Sequence, residues 1–337
     1  MKKVFPFLSF ILALVIVSCS SDNNDIISIS SLNSITSFKI NFDGVSDEDV
    51  TYDLGNDITV SVPYKTNITG IVPTITVSDK AVVTPTSGES VNFMDGVIMP
   101  FTVTAENGDK KVYNVTINIR GEVGSGSKIK VYHFKDDFSE NITTFSYDDT
   151  SNFVKAYSIE EGGNTTEYTY VYNDKNQVLE KKSDTRSIVY IYNDEGLIIS
   201  AGQKDEGNDT FSYTYTYDVN NRLEKLERVN KENDKVTNTS YIYDDLGNVK
   251  SVTIGAQTLE NTYDDKNNPF KGIYPASYAK INIGVGLGEV NINNPSQGSF
   301  SSDTPITFTY NTDNYPLTAS YVVFGFINTN VAYTYYE

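Results

Sequence analysis

One short phrase keeps returning after residue 120, and it fixes what the chain can build. Tyr, any residue, Tyr, then Asp or Asn, with Phe or Asn in the first place of some copies, is followed by a turn of Asp, Asn and Gly and then by an apolar residue. Copies stand at Phe145-Ser-Tyr147-Asp148, Tyr170-Val-Tyr172-Asn173, Tyr190-Ile-Tyr192-Asn193, Tyr215-Thr-Tyr217-Asp218, Tyr241-Ile-Tyr243-Asp244, Asn261-Thr-Tyr263-Asp264 and Phe308-Thr-Tyr310-Asn311. The second aromatics are 25, 20, 25, 26, 20 and 47 residues apart. Alternate residues of a strand share one face. Asx residues and Gly supply local hydrogen bonds and positive φ for tight turns. Each step of 20–26 residues therefore fits two strands and two turns. One such unit cannot bury its aromatic face alone, so the units must stack side by side. The stretch Phe211–Tyr217 has one wholly aromatic face and one of Ser and Thr. Tyr213, Tyr215, Tyr217, Tyr241 and Tyr243 are thus candidate stacking platforms for sugars, with core packing as the competing role.

The copies resemble YD (RHS-type) repeats, most clearly in Tyr241-Ile-Tyr-Asp-Asp-Leu-Gly-Asn-Val249 and Tyr215-Thr-Tyr-Asp-Val-Asn-Asn-Arg-Leu223. Tyr263-Asp-Asp-Lys-Asn-Asn-Pro-Phe270 is similar to a motif of shorter YD-like lipoproteins. This resemblance implies a broad antiparallel sheet over 129–337, a meander for which a half-barrel is one available form. Residues 271–305 break the period. They are either a binding insertion or a cap that plugs the end of the sheet.

Between residues 35 and 120 the pattern changes to short alternating runs: Ile35–Ile40, Ile58–Val62, Gly70–Val77, Ala81–Thr84, Phe101–Ala105 and Val112–Ile117. Asn107-Gly108 between the last two is a hairpin signal. These runs predict a small β-sandwich. Val103-Thr-Ala-Glu-Asn-Gly, Tyr113-Asn-Val-Thr and Ile35-Thr-Ser-Phe resemble the Ig-like module that follows the anchor in surface lipoproteins, where it serves as a spacer or docking unit. Residues 121–128, rich in Gly and Ser, read as a flexible linker without a packing face. The expected fold is all-β: an Ig-like sandwich followed by an antiparallel Tyr-Asp repeat sheet.

The N-terminus carries an address. Lys2 and Lys3 precede the uncharged apolar run Val4–Val17, which is shorter than the roughly 20 residues a spanning helix needs. It ends in Ile16-Val17-Ser18-Cys19, which resembles a bacterial lipobox. The resemblance implies a signal peptide over 1–18, lipidation of Cys19, and a polar tether over 19–34. The acids Asp22 and Asp25 resemble the export cue of surface-exposed lipoproteins, so the cell surface is expected, with the periplasmic face as the alternative.

Composition limits the chemistry. A net charge of −18 opposes a duplex nucleic-acid partner. Cys19 and His133 are the only Cys and His, so no Cys/His metal site can form within the chain, and no cofactor is called for. The Asp-rich turns lack calcium-loop spacing. His133 reads as a strand residue. A lipid-facing barrel would need a continuous apolar band, whereas the second strand faces carry Thr, Ser, Lys and Glu. The sequence thus points to a membrane-anchored, non-catalytic envelope lipoprotein that binds a polysaccharide or an envelope protein. A purely structural scaffold and a glycan hydrolase are the rival readings.

Overall fold

The alternation between residues 35 and 119 becomes seven strands in the computed structural model, which describes residues 28–299 and 304–337. They are β1 (Ile35–Lys39), β2 (Thr51–Leu54), β3 (Ile58–Val62), β4 (Thr74–Val77), β5 (Val82–Thr84), β6 (Ile98–Thr104) and β7 (Lys110–Ile119). β1 and β4 form one small sheet, and the other strands form a second in the order β2-β3-β7-β6-β5. In β3, Ile58, Val60 and Val62 point inward while Thr59 and Ser61 alternate with them. Phe38 of β1 meets Phe101 of β6 edge-on at 5.6 Å, which joins the two layers. β2 was not expected, because Thr51-Tyr-Asp-Leu is short and polar. It is held by pairing to β3 and by the Tyr52 hydroxyl, which donates to Ile40 O at 3.0 Å.

The Asn107-Gly108 hairpin forms, with Gly108 alone at positive φ (91°). Asp109 N–H donates to Asn107 Oδ1 at 3.0 Å. The signal peptide, Cys19 and most of the expected tether lie outside the described residues. The described end of that tether is strapped to the sandwich. Ser30 N–H donates to Glu106 at 2.9 Å, and Ser34 N–H donates to Ser78 Oγ at 3.0 Å.

The repeat region begins with a continuous antiparallel meander: β8 (Ile129–Lys135), β9 (Glu140–Tyr147), β10 (Val154–Glu161), β11 (Asn164–Tyr172), β12 (Val178–Lys182), β13 (Arg186–Tyr192), β14 (Ile198–Asp205), β15 (Asn208–Tyr217), β16 (Leu223–Asn230), β17 (Val236–Tyr243), β18 (Val249–Ile254) and β19 (Gln257–Tyr263). A single helical turn, α1 (Ala276–Ala279), then precedes β20 (Pro295–Gly298), β21 (Thr307–Tyr310), β22 (Pro316–Val323) and β23 (Ile327–Tyr335). β23 returns to pair with β8, so the 16-stranded sheet curls well beyond a half-barrel and is nearly closed. Ile306 N–H donates to Ser296 O at 2.7 Å where the two sheet edges approach.

The second Tyr of each copy explains how the strands are kept in step. Tyr147, Tyr172, Tyr192, Tyr217, Tyr243 and Tyr310 pair with Val154, Val178, Ile198, Leu223, Val249 and Pro316, and a bulge follows each pair. From Tyr172 to Tyr263 the hydroxyl then reaches back across the sheet to the apolar residue of the preceding copy, whereas the Tyr310 hydroxyl donates to Asp264. Tyr192 donates to Val178 O at 2.8 Å, Tyr217 to Ile198 O at 2.7 Å, Tyr243 to Leu223 O at 2.8 Å and Tyr263 to Val249 O at 2.6 Å. The accepting residues Val178, Ile198 and Leu223 have no exposed surface. Each ring thus buries apolar area and also satisfies a backbone carbonyl within the core.

In six copies the Asp or Asn that follows accepts twice from its own turn, while Asp264 accepts from Lys266 N–H and from Asn294 N–H. Asp218 Oδ1 takes the N–H groups of Asn220 and Arg222, and Asn193 Oδ1 those of Glu195 and Leu197. Only an acceptor oxygen is required, so Asp and Asn interchange. In five of the turns the third residue on has φ > 0. Gly196 and Gly247 meet this at 77° and 93°, while Asn176, Asn221 and Asn314 meet it at 61°, 57° and 62°. Asn tolerates that conformation better than most residues, so copies lacking Gly still turn.

Residues 264–294 fill the barrel end at which these turns lie. Phe270, Ile273, Tyr274, Tyr278, Leu287 and Val290 join the core of the sheet. Tyr278 stands edge-on to Tyr170 at 5.4 Å and to Tyr190 at 5.5 Å. This is the plug of the two forms considered for the insertion. The 121–128 stretch differs from expectation, for it is docked. Gly124 N–H donates to Ser151 O at 2.7 Å, and Gly126 N–H donates to Gly272 O at 3.1 Å. A Cβ on Gly126 would lie 2.6 Å from Ile273 and 2.7 Å from the Gly272 backbone. Glycine serves here for close approach rather than for flexibility.

Candidate functional site

The turn end of the barrel gathers three kinds of segment: repeat turns, plug and linker. The turns that follow Tyr217 and Tyr243 stand beside α1 and the residues flanking it, and Glu122 of the linker reaches in from the sandwich side. Between them is a cavity of about 340 Å³. Its walls are largely apolar, with Leu223, Ala279, Ile283 and Val290 among them, and its polar side chains include Glu122, Asn220, Asn221, Arg222, Lys271, Lys280 and Asn291. Apolar walls with a few placed donors and acceptors are the usual build of a small-ligand site.

Each polar group is positioned by its neighbours. Arg222 donates to Asp218 at 2.8 Å and lies 4.6 Å from the centre of the Tyr243 ring. Both Glu122 carboxylate oxygens accept from Ala276 N–H, at 3.2 and 3.1 Å. Burial raises the Glu122 carboxyl, against the lowering effect of Ala276 N–H and Lys65. Burial lowers the Lys280 ammonium, and Lys65 adds to that. Glu122 also borders a cleft of about 640 Å³ between sandwich and barrel, lined by Tyr64, Lys65, Arg120 and Thr150. The joint is fixed by Lys175, whose ammonium lies 2.7 Å from Asp95. Asn176 Nδ2 also donates to Glu122 O at 2.7 Å.

Of the five tyrosines singled out from sequence, Tyr243 lines the cavity. Tyr213, Tyr215, Tyr217 and Tyr241 stand on the inner wall of the barrel. The Tyr213 hydroxyl donates to Gln203 Oε1 at 2.6 Å, and the Tyr213 and Tyr215 rings pack on the core. Burial pushes the Tyr241 hydroxyl up to about 12, with the nearby Glu289 adding to it. Such phenols stay neutral and act as hydrogen-bond donors, not as acids. His133 lies within β8, its Nε2 at 2.7 Å from Glu140. Among the described residues no group of three or more His, Cys, Asp or Glu is placed to hold a metal ion, and no helix is long and apolar enough to cross a membrane. Sequence reasoning missed Glu122, Arg222, Lys271 and Lys280. Arg222 alone left a signal, since it precedes the apolar residue of the Tyr217 copy.

The sandwich has a counterpart among known families. Residues 35–117 match the family described as SGBP, N-terminal, where SGBP denotes a surface glycan-binding protein. No curated protein matches the chain. Among solved structures the chain is similar to a porin-like protein from Bacteroides uniformis, at 16% identity over 62% of this chain and 98% of that one, with a TM-score of 0.41. It is also similar to a DUF4623 family protein from Bacteroides eggerthii, at 9% identity over 90% and 99%, with a TM-score of 0.24. A third likeness is to the Photorhabdus luminescens Tc holotoxin pore, at 11% identity over 75% of this chain and 15% of that one, with a TM-score of 0.25.

Proposed function

We propose that the protein is a non-catalytic, glycan-binding protein of the bacterial cell surface, held to the outer membrane by lipid on Cys19. The observation that carries the reading is the match of residues 35–117 to an SGBP N-terminal module, joined through a docked linker to a barrel with an apolar cavity at the joint. The cavity is the binding site in this reading. Its apolar walls would take the C–H faces of a sugar. Asn220, Arg222, Lys271 and Lys280 would meet its hydroxyls.

The carboxylate count supports binding over hydrolysis. Glycosidases pair two carboxylates roughly 5–10 Å apart across the scissile bond. Glu122 is the one carboxylate lining this cavity, and both of its oxygens face Ala276 N–H.

The test is native affinity electrophoresis of Ser20–Glu337 against a panel of polysaccharides. Retardation by at least one glycan, weakened by Lys271→Ala with Asn220→Ala, is the expected outcome. No retardation in any gel would overturn the reading and turn the search to envelope proteins, while release of reducing ends would make the protein a hydrolase. Cys19→Ala should abolish labelling by radioactive palmitate. Persistent labelling would refute the anchor.

A further inference from the structure

The opposite end of the barrel is a second, chemically different place. There the strands are joined by short hairpins, and neither plug nor sandwich covers them. Just inside this rim, strands β10 to β13, β15 and β16 place Tyr157, Tyr168, Lys181, Arg186, Tyr213 and Arg228. Strand pairing sets Tyr157 opposite Tyr168 and Tyr213 opposite Arg228. The Tyr157 and Tyr168 rings stack at 4.9 Å, and the Lys181 ammonium lies 5.1 and 5.0 Å from their centres. The Arg228 guanidinium lies 5.1 Å from the centre of Phe211.

We propose that this rim binds the anionic groups, carboxylate or sulfate, of an acidic saccharide. The chain carries only 26 Lys and Arg against 44 Asp and Glu, so three cations on one inner wall depart from its general character. What holds them matters more. Among the described residues, the one carboxylate hydrogen-bonded to any of the three is Asp205, at 2.6 Å from Arg186. Asp205 is further tied down by Thr210 at 2.6 Å and by Gln203 Nε2 at 2.7 Å. Lys181 and Arg228 rest on aromatic faces instead. A carboxylate partner would cancel their charge, whereas a ring, or the Tyr157 hydroxyl that shares a hydrogen bond with Lys181, orients the cation and leaves its charge for an incoming anion. Tyr168 is partly exposed, and among the described residues its hydroxyl has no hydrogen-bond partner, so it adds a donor beside Lys181. At physiological salt the Debye length is about 8 Å, so the net negative charge of the distant surface is screened from this rim.

This site is separate from the cavity at the joint and rests on the glycan reading only for the source of the anion. The experiment is isothermal titration of Ser20–Glu337 with polygalacturonate, chondroitin sulfate and neutral dextran. The first two separate carboxylate from sulfate. Binding of an acidic polymer, weakened at least tenfold by Lys181→Met with Arg228→Gln and retained in Lys181→Arg, is the expected result. Lys110→Met, on an exposed position of the sandwich, should leave it unchanged. Thermal melts of each variant show whether the barrel has folded. No binding of either acidic polymer, or binding untouched in the folded double variant, would overturn the inference whatever the joint cavity does with neutral glycans.

Discussion

Tyr217→Phe isolates the hydroxyl that ties one repeat to the next. Tyr217 donates to Ile198 O at 2.7 Å, and Ile198 has no exposed surface. The ring, its packing and the strand pairing all survive the substitution. What is lost is the hydrogen bond, and a buried carbonyl is left without that donor. Such a loss costs about 1–3 kcal/mol for a fully unsatisfied group and about 1 kcal/mol for a typical bond. A carbonyl has two lone pairs, which places the expected loss at about 1–1.5 kcal/mol. In a domain of this size each kcal/mol lowers the midpoint by about 2–4 °C, so a drop of about 2–6 °C is expected. The assay is thermal and urea unfolding followed by circular dichroism. Tyr168→Phe is the control, because that partly exposed hydroxyl has no hydrogen-bond partner among the described residues, and it should stay within about 0.5 kcal/mol of the parent. If Tyr217→Phe matches the control, the inter-repeat bond contributes nothing and packing alone holds the strands.

Two further outcomes follow from features of the joint and plug. Gly126→Ala puts a methyl against the Gly272 backbone, and overpacking of this kind costs about 1–3 kcal/mol; it should lower the melting midpoint and speed proteolysis near residue 126. A variant as resistant as the parent would show that the linker does not dock. Glu289 accepts from Gly286 N–H at 2.6 Å, and burial raises its carboxyl above the ordinary 4.5, outweighing that bond. Its folded form therefore holds the proton more tightly, so its contribution is full below about pH 4.5 and is lost as pH rises through the raised value. Glu289→Gln should raise the melting midpoint at pH 7 more than at pH 4; an equal effect at both would refute the assignment.

Much of this architecture was legible because its signals are local. Tyr-x-Tyr-Asx announces a strand end and its turn within a few residues, and the seven copies all appear where the phrase stands. The hydroxyl bonds were not legible. They join residues of neighbouring copies, and a Tyr that stacks on a sugar looks the same in sequence as one that bonds a carbonyl. The degree of closure was hidden for a similar reason, since the pairing of Tyr335 with Ile129 depends on total curvature rather than on any one hairpin. The linker misled because glycine marks both loose chain and tight approach, and Gly126 is of the second kind. The cavity was invisible because Glu122, Arg222 and Lys271 come from three segments that only the plug brings together.

The place of β23 between β8 and β22 has a consequence for how the domain is made. Every neighbouring pair of the meander from β8 to β19 can form as soon as its own hairpin has been synthesised. The exposed edge of β8 cannot be covered until Ile327–Tyr335 has emerged. A growing chain therefore carries an open edge through the whole production of the repeat array, and such edges invite pairing with other chains. The same geometry makes this strand a point of weakness in the finished molecule. A protease that clips ahead of β23 would remove one strand, yet it would leave β8 and β22 each with one unpaired edge and turn a nearly closed ring into a sheet ready to associate.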